Sequence, residues 1–184
     1  MYLERTKMNK EFFNKCLEIE VYGPYRTAKC RLNFFDKLWC KYIAPHSNAI
    51  YMIRKMQLLN SRGKINRLIA KLIHTRLVTK YGITVHEKTK IGIGLSIPHP
   101  SSITICCCSI GKNLRILQNT TIGLKNGQGP KILDDVCIFA GATVIGGICV
   151  ENGTVIGANA CLLSDTKPNS VYAGVPAKQI NTHS

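Results

Sequence analysis

Acid is scarce in this chain beside base. Its 184 residues hold 10 Asp and Glu against 25 Lys and Arg, a formal net charge of +15 at pH 7. The excess is concentrated before residue 81. It suits an anionic partner: a membrane surface, a phosphorylated acceptor or, least favoured, nucleic acid. The bland alternative is a solvated helical face. A run of about 20 apolar residues is also missing, so no helix is expected to span a bilayer. The opening stretch MYLERTKMNKEFF is charged throughout and has no apolar signal core, from which a cytoplasmic protein is expected. Paired CxxC spacings are absent; Cys30 and Cys40 lie too far apart for a zinc knuckle, and no metal is expected. The cysteine count, 9, is odd, and the run Cys106-Cys107-Cys108 does not lend itself to pairing. The thiols therefore read as reduced, mostly small buried fillers. No Ser-His-Asp spacing and no cysteine with an evident base supports a covalent catalytic route.

What the chain does have is a period of six. An aliphatic residue opens each hexad from Val85 to about Lys167: Val85, Ile91, Ile97, Ile103, then Ile110, Ile116, Ile122, then Ile132, Ile138, Val144, Val150, Ile156 and Leu162. One extra residue before Ile110 and four before Ile132 keep the register. A repeat this short cannot form a solenoid of helix pairs and points to a parallel β-helix. Each hexad makes one short flat strand and a bend. Three hexads close a triangular coil, and coils stack about 4.8 Å apart with their backbones paired along the axis. The opener points into the prism, a pleated buried place that suits β-branched Ile and Val. Gly and Asn suit the corners. Coils of this kind are left-handed, against the usual right-handed crossover.

Residues 1–82 read as a helical N-terminal region in front of a β-helix domain of residues 83–184. Gly23-Pro24 and Pro45-His46-Ser47-Asn48 are breaks. Between them Leu32, Phe35, Leu38, Trp39 and Tyr42 recur at helical spacing. After Ser61-Arg62-Gly63, the residues Ile65, Leu68, Ile69, Leu72, Ile73 and Leu77 make an apolar row, with Lys64, Arg67 and Lys71 on the other face. Gly82 ends this helix, because Gly takes the left-handed backbone shape cheaply. Such helices are expected to cap an open β-helix end, with the basic face as a weak, salt-sensitive contact to an anionic membrane surface as the sharper alternative.

Two irregular places interrupt the repeat. The stretch GLKNGQGPK between Ile122 and Ile132 is expected to project as a loop. In Ser96-Ile97-Pro98-His99-Pro100-Ser101, two prolines hold His99 stiffly. Alternation places His99 leaning inward or at a corner. An imidazole titrating near 6.5 can take a proton from an attacking hydroxyl and return it to a leaving thiolate.

From Tyr81 to Ile180 the chain resembles the serine acetyltransferase-like branch of the hexapeptide-repeat acyltransferases. The matching pieces are YGITVH, KIGIGLSIPHPSSITI, ILQNTTIG, the loop ending GPKI, FAGATVIGG, VIGANA and the ending AGVPAKQI. The resemblance implies an acetyl-CoA-dependent O-acetyltransferase, usually trimeric, with each site between neighbouring β-helices. It places the catalytic base on His99. It suggests Gly123, Ala140, Gly141 and Ala158 along the CoA pantetheine and Lys178 at a CoA phosphate. Each small residue could equally be a corner that needs no side chain. His86 also matches a family position but lacks the proline that follows it, and reads as structural.

The departures from the family are specific. Thr84 stands where the family's histidine-orienting Asp would be. Pro98 replaces an Asp that grips serine, and Gln128-Gly129 replaces an Arg-His pair of the loop. Loss of that charged grip leads to the expectation of a glycan or sugar hydroxyl as acceptor, in bacterial surface-polysaccharide synthesis at the inner face of the membrane. Serine O-acetylation for cysteine synthesis is the enzyme alternative. A non-catalytic scaffold with a basic helical face, binding a membrane or nucleic acid, is the other. A carbonic-anhydrase reading would need three histidine ligands, and the repeat offers only His86 and His99.

Overall fold

The computed structural model describes residues 8–25, 32–106 and 108–182; Cys30, Cys107 and His183 lie outside them. The chain divides into two compact units, Met1–Leu77 and Val78–Ser184.

The first unit is helical. Helix α1 (Lys10–Cys16) starts on Asn9, whose side chain accepts from the Phe12 N–H at 2.7 Å. It continues as a π turn, Leu17–Val21, and breaks at Gly23-Pro24. Helix α2 (Phe34–Tyr42) opens on a reciprocal cap between Asn33 and Asp36, and α3 (Pro45–Asn60) opens on its proline. Helix α4 (Lys64–Tyr81) ends at Gly82, which has φ +66° and donates to Val78 O at 2.8 Å.

At the centre of this unit Arg54 and Glu20 form a two-point ion pair, 2.6 Å from Nη2 to Oε1 and 2.8 Å from Nε to Oε2, with neither side chain exposed. Burial and the adjoining Glu20 carboxylate push the Cys16 thiol up to about 12 against the pull of Arg54. Both charges are compensated in place, so the pair fixes the π turn against α3.

Four of the six residues in the apolar row of α4 are exposed: Ile65 is 79% exposed, Leu68 62%, Ile69 42% and Leu72 64%. The helix buries Ala70 and Leu77 with Ile73 half-buried between them. Apolar residues cover two adjacent faces of α4, and their spacing alone does not say which one packs. The outer face of α2 is likewise apolar and exposed, with Phe34, Phe35 and Ile43 outward.

The second unit is a parallel β-helix with three faces. The first carries β1 (Thr84–Val85), β3 (Thr104–Ile105), β6 (Thr121–Gly123), β9 (Thr143–Ile145) and β12 (Cys161–Leu162). The second carries β2 (Lys90–Ile91), β4 (Ser109–Ile110), β7 (Lys131–Ile132) and β10 (Cys149–Val150). The third carries β5 (Arg115–Ile116), β8 (Cys137–Ile138), β11 (Val155–Ile156), β13 (Ser170–Ala173) and β14 (Lys178–Thr182). Every pairing among these is parallel except β13 with β14, which closes the end as a hairpin. The expected openers point inward and are buried, from Val85 to Leu162.

One opener is displaced. Ile105, not Ile103, pairs in register between Val85 and Ile122, because Thr104 sits between Thr84 and Thr121. The irregularity is therefore two extra residues at the corner after Ile97 and one fewer between Ile105 and Ile110. Ile103 is buried as well, one step earlier in the coil. Cys106 and Cys108 lie outside the strands.

Removing one partner of the buried pair leaves the other charge uncompensated. Glu20→Ala is expected to destabilise the helical unit by about 3–5 kcal/mol, read as a lowered midpoint in denaturant unfolding. A cost within experimental error would show that Arg54 is solvated in solution.

Candidate active site

The two extra residues lengthen the corner between the third and first faces in the first coil, Pro98-His99-Pro100-Ser101-Ser102. Its ends are fastened. The Ser102 N–H donates to Tyr81 O at 2.9 Å, the Ser101 N–H to His99 O at 2.9 Å, and the Asn119 N–H to Ser101 O at 3.0 Å. Ser102 takes φ +52°, the shape that Asn119 (+58°) and Asn159 (+56°) take at the same corner of other coils. A regular corner has no room for the added length, so the segment bows outward and His99 is exposed. The inward lean allowed by alternation is thus corrected: the insertion breaks the alternation before His99 is reached.

Below His99 the same corner repeats as Leu117-Gln118-Asn119, Phe139-Ala140-Gly141 and Gly157-Ala158-Asn159. The Gly141 N–H donates to Gln118 O at 3.0 Å and the Asn159 N–H to Ala140 O at 2.9 Å, which fixes the stacking. His99, Ala140, Gly141 and Ala158 therefore share one edge of the prism. Three coil steps separate its ends, about 14 Å. Ala140 and Ala158 leave this edge open. Gly141 has a reason of its own: its φ is +73°, and a Cβ there would meet Asn159 Oδ1 at 2.0 Å.

The other candidate residues stand elsewhere. Thr84 is half-buried on β1, where its N–H donates to Ile103 O at 2.8 Å. Among the described residues the His99 imidazole forms no side-chain hydrogen bond, to Thr84 or otherwise. Gly123 ends β6 on the first face, where a Cβ would lie 3.2 Å from Ile145 Cγ1. Lys178 is exposed on β14 in the closing hairpin, just after Ala177, whose N–H donates to Cys161 O at 2.8 Å. His86 turns the corner between the first and second faces, away from His99. Among the described residues no three His, Cys, Asp or Glu side chains come together as a metal site.

The projecting loop does form. Asn126 and Gly127, at φ +52° and +76°, make a tight turn closed by reciprocal 3.0 Å hydrogen bonds between Lys125 and Gln128. It rests on the next coil, where a Cβ on Gly147 would come within 2.9 Å of Gln128 Cβ. The loop leaves the corner between the first and second faces, so within one chain it does not share the His99 edge. Burial leads the upward shift of the Cys16, Cys40, Cys137 and Cys149 thiols, the opposite of an activated thiolate. Sequence reasoning passed over Gln118, whose distinguishing feature, an unpartnered buried oxygen, exists only in the folded chain.

No protein-family model matches the chain. It is similar to serine acetyltransferases: 33% identical over 140 residues to that of Staphylococcus epidermidis, covering 73% of this chain and 64% of that protein. To the Escherichia coli K12 serine acetyltransferase it is 32% identical over 117 residues, covering 61% of this chain and 43% of that protein. The chain thus spans less than two thirds of these relatives. The solved serine acetyltransferase of Brucella abortus superposes with a TM-score of 0.74 at 25% identity, over 92% of this chain and 69% of that one. The fold is that of the hexapeptide-repeat acyltransferases, and the chain is a homologue on their serine acetyltransferase-like branch.

These relatives correct the expected glycan acceptor and the role in polysaccharide synthesis, since they and the structural neighbours are serine acetyltransferases. The inference failed for a physical reason. Pro98 and Gln128-Gly129 show which charges are missing from a grip; a missing charge does not select a sugar.

Thr84 makes no hydrogen bond to His99, so Thr84→Ala is expected to leave any His99-dependent rate within about threefold, well under the 10²-fold or greater loss of a general base. A steady-state rate comparison checks this. A loss matching that of His99→Ala would make Thr84 a working partner.

Proposed function

We propose that the chain is an acetyl-CoA-dependent O-acetyltransferase with serine as its acceptor, and that residues 83–184 carry the chemistry. The observation that supports this reading best is the display of His99 on an exposed corner, at the head of an edge that carries the small residues Ala140, Gly141 and Ala158 beside the exposed Phe139. The relatives' names supply the acceptor. One related structure, 24% identical, is described as a serine acetyltransferase complex with CoA.

The open edge below His99 fits an extended pantetheine arm, with Ala140, Gly141 and Ala158 as its lining, Gly123 on the adjoining first face and Lys178 toward a phosphate. Acetyl-CoA supplies the thioester to be attacked. His99 takes the serine hydroxyl proton as the oxygen bonds to the acetyl carbon. It returns that proton to the departing sulfur as the carbon–sulfur bond breaks. Pro98 and Gln128-Gly129 offer no charge to the ammonium or carboxylate of free serine, so serine binding is expected to be weak.

Thiol release from acetyl-CoA with serine tests the reading. The expected result is turnover that saturates only at high serine, lost about 10²–10⁴-fold in His99→Ala with CoA affinity kept. Neither CoA binding nor turnover would leave the scaffold reading.

A trimer is part of this proposal. The loop and His99 stand on different edges of one prism, and a neighbouring copy under closed three-fold symmetry would bring them together. Light scattering is expected to give a mass near three chains or a multiple; an active monomer would contradict it. The place of work is proposed to be the cytoplasm. Weak attachment to an anionic membrane rests on exposed Lys64, Arg67 and Lys71, worth about 1 kcal/mol each near such a surface. Pelleting with anionic vesicles that persists in high salt, or fails at low salt, would contradict that.

A further inference from the structure

We propose that Gln118 is the positioning residue of His99: its Oε1 accepts one ring N–H of the imidazole and leaves the other ring nitrogen free to take a proton. The kinetic part of this inference rests on the acetyltransferase reading; the structural part does not.

Three observations converge. First, Gln118 Oε1 is buried, and among the described residues it is the only buried side-chain nitrogen or oxygen with no hydrogen-bond partner. A buried amide oxygen left unpaired is costly, so a partner that arrives later would recover that cost.

Second, Gln118 lies one coil on from the bowed segment, opposite Ser101 and two residues along from His99. The Ile116 N–H donates to Ser96 O and the Asn119 N–H to Ser101 O, both at 3.0 Å, which stacks the Leu117-Gln118-Asn119 corner directly against the bowed segment. Neighbouring coils lie about 4.8 Å apart, within reach of a glutamine side chain.

Third, among the described residues of the β-helix unit no carboxylate stands on the His99 edge. Glu87 and Asp165 follow first-face strands, and Asp134, Asp135 and Glu151 follow second-face strands, so all five lie on the other two edges of the prism. The charged residues flanking the His99 corner are Arg115, whose backbone bridges to Ser96, and Lys80, next to Tyr81. Both are cations and only donate.

A histidine base works with one nitrogen protonated and held and the other free, and the held proton decides the tautomer. An exposed imidazole held by nothing exchanges between both. A neutral amide oxygen fixes the tautomer without the strong upward pull on basicity that a carboxylate exerts. Catalytic hydrogen bonds commonly tighten only when the site fills, which fits an imidazole that stands in solvent beside a waiting acceptor.

The test uses the full chain labelled with ring-¹⁵N histidine, as wild type, Gln118→Met and Gln118→Glu, with His99→Ala for assignment. Long-range ¹H–¹⁵N NMR, with and without CoA, reads the tautomer and titration midpoint of His99. The expected result is one dominant tautomer in wild type, a mixture in Gln118→Met, and a midpoint about one pH unit higher in Gln118→Glu, where the new carboxylate favours imidazolium. In rate measurements, kcat is expected to fall about tenfold in Gln118→Met with the acetyl-CoA KM unchanged, and the rising pH limb in Gln118→Glu to move to higher pH. Superposable tautomer ratios and midpoints in all three proteins would overturn the inference. Shifted NMR data without any turnover, wild type included, would keep Gln118 as the partner of His99 and sink the acetyltransferase reading instead.

Discussion

The β-helix unit depends on one repeated interaction: the same inward position filled, coil after coil, by an aliphatic side chain. Val85, Ile105, Ile122, Val144 and Leu162 line the first face, and the rows from Ile91 and Ile97 line the other two. Each strand is only two to five residues long, as β1 and β14 show. None would hold alone; parallel pairing on both sides and stacking along the axis make the prism rigid. On such a support a local excess of chain cannot be absorbed inward, because the core positions above and below are already filled. Two surplus residues at one corner must bow out, and they carry His99 with them. The four surplus residues after Ile122 do the same on another edge and become the Lys125–Gln128 turn.

The parts legible in the sequence are those that repeat. Hexad openers could be read because each coil asks for the same residue type at the same place, and His99 because two prolines bracket it. What stayed hidden was set by choices between equals. Ile103 and Ile105 are both aliphatic, and only the pairing of Thr84, Thr104 and Thr121 decides between them. The apolar residues of α4 cover two faces, and packing selects the one through Ala70 and Leu77. The antiparallel β14 carries no hexad signal, and the unpaired oxygen of Gln118 appears only when corners stack. The acceptor was misjudged because absent charges were made to name a ligand.

The candidate site combines a rigid support with a soft point. The Asn and Gly corners below His99 are fixed by backbone bonds and left-handed angles, while the imidazole itself is exposed. That division lets an edge of small residues define where an extended ligand lies and leaves one side chain free to settle when it arrives. In the helical unit, the Glu20–Arg54 pair fixes packing between elements while long apolar faces on α2 and α4 stay open.

The central claim is that two surplus residues at one corner exist to display His99. Deleting Pro100 and Ser101 restores a regular corner, Pro98-His99-Ser102, and keeps His99 in the chain. The account predicts that circular dichroism and thermal unfolding of the β-helix stay close to wild type while acetyl transfer falls by about 10²-fold or more, the scale of losing a general base. A folded deletion variant that transfers acetyl at the wild-type rate would contradict it.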